Sequence, residues 1–538
     1  MTDFIYRTED LPQDQVSTLF VDTPDDRRLV DALKGRQPTI IVGSRGVGKS
    51  LLLRVAEAEL LAKFAEDRVL PVYVSFSKSA LINTSHKDQF VQWMLARICS
   101  RLVRCLKKNG LVVAPSPELS LLSGGGNQYL QGDAPPIERV LSAFEESWKR
   151  PNINVDAAPI PDVDSMKDAV DDLCESLDIE RLVFLFDEAA HVFRPEQQRQ
   201  FFTVFRDLRC ARITCNAAVY PGTTSYGDSF QPVQDATLLS VERNVTDKDY
   251  VDRMKLIVER QADSTLSTAI QRNAENFGVL AYAAHGNPRI LLKTVSRAKK
   301  LTSRDVNDVI RDYFRNDIWA EHSALASKYS GHKHLVDWGR KFVEDKVLVE
   351  LTKRNERLDS DDGKTTCYFW IHRDAPAAVH EAIRLLAYSG VVIRHGEGIK
   401  ATMGQIGDRY AVCLGCVFSL QSSPTTVGLW IAKGLSPVKG LIVYGQSNPN
   451  YQELVETFEK NFEPDTASAL AEQLRRKIDV LDLPSWLRKN LKDAGFQTIS
   501  DILNATDDQI RSTYYVGKVR SKKVKSAATN AVLEYLSG

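Results

Sequence analysis

Near the amino terminus, Gly43-Ser44-Arg45-Gly46-Val47-Gly48-Lys49-Ser50 has the residue types and the spacing to hold a phosphate. Its glycines let backbone N–H groups turn inward around anionic oxygens. Lys49 is placed to reach the outer phosphates of a nucleoside triphosphate, and the Ser50 hydroxyl to take one position on Mg²⁺. Far downstream, Asp187 and Glu188 close the apolar run Arg181-Leu182-Val183-Phe184-Leu185-Phe186. A carboxylate such as Asp187 can hold the same metal, usually through water, and Glu188 can polarise an attacking water. The expected ligands are therefore ATP and Mg²⁺. Gly43, Ser44, Arg45, Gly46, Val47, Gly48, Lys49, Ser50 and Leu51 would surround the nucleotide, Ser50 and Asp187 the metal, with Lys49 and Glu188 catalytic.

These residues work only if regular elements bring them together. The glycine loop follows an apolar strand-like stretch, Thr39-Ile40-Ile41-Val42, and runs at once into the helix-like Leu51-Leu52-Leu53-Arg54-Val55-Ala56. The helix would present its positive amino end to the same anion. The run ending in Asp187 suits a strand buried on both faces of a parallel sheet, whose carboxyl end is where ligands sit. Between and beyond them the pattern alternates. Val69–Phe76 reads as a strand, Asp88–Lys107 as an amphipathic helix, Glu196–Arg209 as a helix and Arg212–Tyr220 as a strand. Such alternation predicts an α/β class, with a doubly wound parallel sheet.

With these two motifs, the chain resembles the AAA+ superfamily over about residues 15–310, and within it the origin-recognition-type initiator and signalling ATPases. The resemblance implies a P-loop ATPase base over 1–240, a helical lid over 241–325 and slow, partner-stimulated turnover. It implies a γ-phosphate sensor just after the strand that follows, for which Thr223 or Thr224 is positioned and Asn216 is a weaker candidate. It also implies a second sensor, Arg289, in Gly286-Asn287-Pro288-Arg289. The plain reading of that segment is a helix start, with Asn287 as cap, Pro288 at the first position and Arg289 exposed. An arginine finger from a second copy or a partner protein is usual in the family, and Arg206, Arg209, Arg212 and Arg243 are candidates. One departure is an insertion at about 111–165, rich in Pro and Gly, with one helix expected near Ile137–Trp148.

The carboxyl half reads as further modules. Val379–Tyr388 is an amphipathic helix stopped by Ser389-Gly390. A strand at Val391–Arg394, a glycine turn at His395–Gly398 and a return strand at Asp408–Phe418 follow, the outline of a winged helix over 330–422. Arg384, Arg394 and Lys400 would be its DNA contacts. Residues 423–475 read as a linker or small α/β piece, with a strand at Leu441–Tyr444 and a helix at Tyr451–Phe462. Residues 476–538 resemble the helix-hairpin-helix domain at the carboxyl end of the RNA polymerase alpha subunit, through Leu491-x-x-Ala494-Gly495-Phe496-x-Thr498-Ile499-x-Asp501-Ile502-Leu503 and the later Val516-Gly517-Lys518 turn. The resemblance implies that Gly517, Lys518, Arg520, Lys522 and Lys523 contact DNA, mostly at its backbone. From Arg511 to Lys525 no acidic residue interrupts the basic ones.

The formal net charge is zero, so any nucleic-acid surface must be local. No apolar run approaches the roughly 18 residues that span a bilayer, the first ten residues are unlike a signal peptide, and eight scattered cysteines suit a reducing cytoplasm. Cys413 and Cys416 read as buried strand cysteines, not a metal site, and His332 and His334 as surface residues. Two functions follow. One is an ATP-driven switch that binds DNA through its carboxyl-terminal domains, in an accessory bacterial system such as antiphage defence or mobile-element control. The other is a signalling or scaffold ATPase whose tail binds protein.

Overall fold

A computed structural model describes residues 4–79, 88–112, 116–125, 135–149, 154–188, 195–221, 224, 226–227, 229–328, 332–361, 364–401, 404–437, 441–460, 474–481 and 483–536. Contacts divide the chain into two compact units, one of residues 1–274 with 286–300, the other of 275–285 with 301–538.

The first unit is built on five parallel strands: β1 (Thr39–Val42), β2 (Val69–Ser75), β3 (Arg181–Asp187), β4 (Ile213–Val219) and β5 (Thr237–Ser240). Their order is β2-β3-β4-β1-β5. Every residue of β3 and β4 is buried, which is why both read as unbroken apolar runs. The two faces of each strand feed different cores. Phe184 and Phe186 pack with Trp93, Phe201 and Phe205, under the helices Asp88–Lys108 and Pro195–Asp207. Val183 and Leu185 pack with Leu52, Leu53 and Ala56 of the helix Lys49–Ala62. The expected doubly wound core is therefore present. β4 lies between β1 and β3, so the loops that follow those two strands start roughly 10 Å apart, on the same edge of the sheet.

The expected insertion is more structured than its composition indicates. Among its described residues up to 149, a second α-helix, Pro117–Leu122, capped by Ser116, accompanies the expected one, which runs Pro136–Glu145. Leu119, Leu122, Ile137, Leu141 and Phe144 are buried in the main core. Proline starts both helices at a position where its missing N–H costs nothing.

In the second unit, β6 (Tyr368–His372), β7 (Val392–Lys400), β8 (Ile406–Val412) and β9 (Ile442–Tyr444) form a sheet in the order β7-β8-β6-β9. The helix Ala377–Ser389 precedes β7 and ends at Gly390, in the left-handed conformation (φ 80°) that favours glycine. Helix, strand and return strand thus follow one another as expected, with corrections. Residues 395–398 are not the turn. They lie in β7, where register shifts bulge the strand, and the chain reverses between Ala401 and Gln405. The return strand stops at Val412, because Cys413 starts the short helix Leu414–Ser419. Cys413 and Cys416 are buried, but on a helix and its cap, not on a strand. Among the described residues, no group of three or more His, Cys, Asp or Glu is placed to hold a metal.

His332 is not a surface residue: it is 1% exposed and lies 3.4 Å from Glu381. Arg384 pairs with the same carboxylate. Burial pushes Glu381 up, but Arg384 and His332 outweigh it and hold the group down to about 2. Arg384 is thus committed internally rather than offered to DNA. Arg394 is likewise engaged, with Asp408 at 2.7 Å and Glu397 at 3.0 Å. Of the three wing cations only Lys400 is exposed.

The carboxyl-terminal helices are Ser485–Asp493, Ile499–Asn504, Asp507–Arg511 and Lys518–Leu536, packed around Ile478, Leu487, Leu491, Ile502 and Val524. Thr498 with Asp501 and Thr506 with Gln509 form capping boxes that fix where two of them begin. No helix is long and apolar enough to cross a membrane, among the described residues.

Candidate active site

The loop between β1 and the helix Lys49–Ala62 takes its shape from two glycines, Gly46 (φ 91°) and Gly48 (φ 104°). Gly48 caps the helix with no side chain, and the first turn carries no acid, so the amino end stays open to an anion. Gly46 is also pressed from outside. A Cβ there would lie 2.8 Å from Asn287 Oδ1 and 2.9 Å from Arg289 Cβ. Asn287 donates from Nδ2 to the Arg45 carbonyl at 2.7 Å, and its Oδ1 accepts from the backbone N–H groups of Arg289 and Ile290. One asparagine thus caps the helix Pro288–Arg297 and ties it to the phosphate loop. Arg289 is half-buried rather than exposed, and its Nε donates to the Tyr6 carbonyl at 3.2 Å.

One cavity gathers the separated motifs. Arg45, Gly46, Gly48, Lys49, Ser50 and Leu51 line it together with Asp187, Glu188 and Arg289. Lys49 Nζ donates to the carbonyls of Gly43 (2.6 Å) and Ser44 (3.0 Å) and lies 4.0 Å from the Tyr220 ring centroid. Burial pushes its ammonium down to about 7, against the pull of Asp187. Opposite, Asp187 Oδ2 accepts from the Tyr73 hydroxyl at 2.6 Å and Oδ1 from the Glu188 N–H at 2.9 Å. Burial, then Asp187 and Glu9, raise Glu188 to about 7. Its Oε2 accepts from Ser75 Oγ at 3.3 Å, and its backbone sits at φ 56°. That left-handed backbone is uncommon for a residue with a side chain. Cations on one wall and carboxylates on the other are the donor set that a phosphate chain and a divalent metal require.

Other expected residues fall elsewhere. Thr223 lies outside the described residues. Thr224 donates to the Tyr220 carbonyl at 2.8 Å and does not line the cavity. Asn216 sits level with Thr39, the first residue of β1, roughly 10 Å below the carboxyl edge. It accepts from the Thr39 N–H and donates to the Leu33 carbonyl, tying β4 to its neighbours, so it is not a sensor. Arg243 is not available as a finger for another molecule. It pairs with buried Asp26 and donates to the Val47 carbonyl at 2.9 Å, bracing the phosphate loop from behind. Arg206, Arg209 and Arg212 each have partners nearby: Asp207, Asp235 and Asp171.

Sequence reasoning missed Tyr220 and the amino-terminal residues Tyr6, Arg7 and Glu9, all of which line the cavity. Tyr220 directly follows β4 and could have been weighed with the sensor candidates. Nothing local marks the first residues as part of a site.

Comparison with known proteins bears on the same loop. Residues 4–93 match the ORC-CDC6-like family model. The resemblance to origin-recognition-type AAA+ ATPases therefore holds over the stretch that carries the glycine loop. The ORC-CDC6-like segment supplies the glycine loop, Lys49 and Ser50, while Asp187, Glu188, Tyr220 and Arg289 lie beyond it. No curated protein matches the chain. Among solved structures, it is similar to the ORC2 protein of Aeropyrum pernix, solved as ADPNP–ADP complexes. That match has 12% identity and a TM-score of 0.34, over 78% of this chain and 93% of that one. It is also similar to the ORC1 protein of Aeropyrum pernix in complex with DNA, at 14% identity and a TM-score of 0.29, over 78% of this chain and 95% of that one. At these scores neither likeness says more than that.

A second surface lies at the start of the helix Lys518–Leu536. Gly517 precedes it and accepts from the Ser521 N–H, and its first turn carries no acid. The left-handed residue of this turn is Tyr515 (φ 66°), not Gly517, where a Cβ would meet nothing within 4 Å. Lys518, Lys522 and Lys523 have no carboxylate partner among the described residues, whereas Arg511 and Lys525 are drawn to Asp507 and Asp508. Arg520 sits over the Trp486 and Tyr515 rings, at 5.3 and 5.1 Å. Tyr514 (79%), Val519 (74%), Tyr515 (65%) and Trp486 (44%) stand exposed around it.

Proposed function

We propose that this chain is an ATP-binding and hydrolysing switch of the AAA+ type that grips DNA through its carboxyl-terminal helices. The observation that carries the ATPase reading is the single cavity lined by Lys49, Ser50, Asp187, Glu188 and Arg289. Lys49 and the open helix end would hold the outer phosphates, and a phosphate oxygen beside Lys49 would restore the proton that burial loosens. Ser50 and Asp187 would hold Mg²⁺, which when bound neutralises charge on the phosphate oxygens. Glu188 would orient and polarise the attacking water. Arg289, held over the phosphate loop, would sense the nucleotide. Arg243 being committed, an arginine finger would come from a partner protein or from one of the three other arginines of a second copy.

For the tail, DNA is favoured by lysines that have no carboxylate partner among the described residues, at a helix start whose first turn carries no acid, with aromatic faces beside them that bases can stack on. The same exposed aromatics favour a second reading, in which the tail docks a protein. Changing Lys518, Lys522 and Lys523 together to Glu decides between them. DNA affinity should fall steeply, and the slope of log affinity against log salt should lose about 3, near 0.9 per lost phosphate contact. Basal ATP turnover should stay the same. Unchanged DNA affinity in a filter-binding or anisotropy titration would leave the tail to a protein partner.

A further inference from the structure

A second cavity of about 360 Å³ opens beside the nucleotide site. It is within the size range of small-molecule sites. Its most distinctive wall is one face of the helix Asp88–Lys108. There Arg97, Arg101, Arg104 and Lys108 recur at helical spacing and all point into the same space. Arg54 joins them from the helix Lys49–Ala62. The lining holds five cations against two carboxylates, Glu9 and Glu57.

Neighbours relieve part of this charge. Arg97 pairs with Glu145, Arg104 with Glu138 and Arg54 with Glu57. Lys108 reaches only the neutral amide of Gln13, and Arg101 has no hydrogen-bond or ion-pair partner among the described residues. Burial, Arg104 and Arg54 all push the Arg101 guanidinium down. Like charges gathered on one helix face destabilise the free protein unless something anionic offsets them. Leu61, Val72 and the Tyr73 ring add apolar surface to the lining.

The cavity also touches the chemistry. Tyr73 and Ser75 line it, and the same two side chains donate to Asp187 and Glu188. The Arg54 guanidinium lies 3.9 Å from the Tyr73 ring centroid. Thr8 and Glu9 line both cavities. We propose that this cavity is an effector site for a nucleotide-sized, phosphate-bearing small molecule, whose presence is transmitted through Tyr73 and Ser75 to the acid pair. The transmission rests on the proposed ATPase reading; the binding does not.

The test uses the full chain with its nucleotide site saturated by MgADP and inorganic tripolyphosphate as probe, followed by calorimetry. Saturable binding is expected, weakened at least tenfold in both Arg101→Glu and Lys108→Glu, with MgADP affinity unchanged in each. Lys108 is exposed, so its variant keeps the test sound if Arg101→Glu disturbs folding. Tripolyphosphate should also change the ATP turnover of the parent chain but not of Arg101→Glu. Equal tripolyphosphate affinity in all three proteins, or displacement of MgADP mole for mole, would overturn the proposal. Failure of MgADP itself to bind would instead count against the nucleotide site, and the Arg101 and Lys108 comparison would still be read without it.

Discussion

Glu188→Gln is expected to leave MgATP bound while hydrolysis falls by roughly 10²- to 10⁴-fold, the usual worth of a positioned general base. The substitution keeps the shape of the side chain and its reach to Ser75 Oγ, and removes only the ability to take a proton. Glu188 stands where such a base is needed, next to Asp187 and on the cavity that Lys49 and Ser50 also line. Its left-handed backbone is fixed by the N–H bond to Asp187 Oδ1, so the orientation should survive the change. Phosphate release and equilibrium ATP binding, measured on the same preparation, give the answer. Unchanged turnover would remove Glu188 from the mechanism.

Lys49→Ala is expected to cost nucleotide affinity on the order of 100-fold. The Nζ group would exchange the carbonyls of Gly43 and Ser44 for phosphate oxygens, and hydrogen bonds to charged groups are each worth about 1.5–3 kcal/mol. Two such bonds, less the bonds given up, leave about 3 kcal/mol. The change also leaves two loop carbonyls without their partner, so the melting temperature should be followed alongside binding of a fluorescent ATP analogue. Weak binding with an unchanged melting transition supports a role on the ligand; undiminished binding would refute it.

The parts of this site that local chemistry dictates were legible in the sequence. The glycine loop must read as it does because only glycine tolerates the conformations of residues 46 and 48 there, and β3 because both its faces are buried. Asn287 and Pro288 announced a helix start, and the structure adds why the segment matters: its cap also grips the Arg45 carbonyl. Long-range placement was not legible. That β4 separates β1 from β3 follows from sheet assembly, and it brings Tyr220 against Lys49. Asn216 has the right type for a sensor but the wrong height on its strand. Arg243 and Asp26 lie more than two hundred residues apart and pair only after folding. In the carboxyl half, the glycines at 396 and 398 signalled a turn, whereas the chain uses them inside a bulged strand and reverses later. The β6 segment is short and fully apolar over its first four residues, a pattern that a buried helix shares.

The most direct test of the central claim is a crystal structure of the chain grown with Mg²⁺ and a non-hydrolysable ATP analogue. The account predicts a γ-phosphate oxygen within hydrogen-bond distance of Lys49 Nζ, and the metal between Ser50 Oγ and the Asp187 carboxylate. A nucleotide bound outside the cavity shared by Lys49 and Asp187, or none bound at saturating concentration, would contradict it.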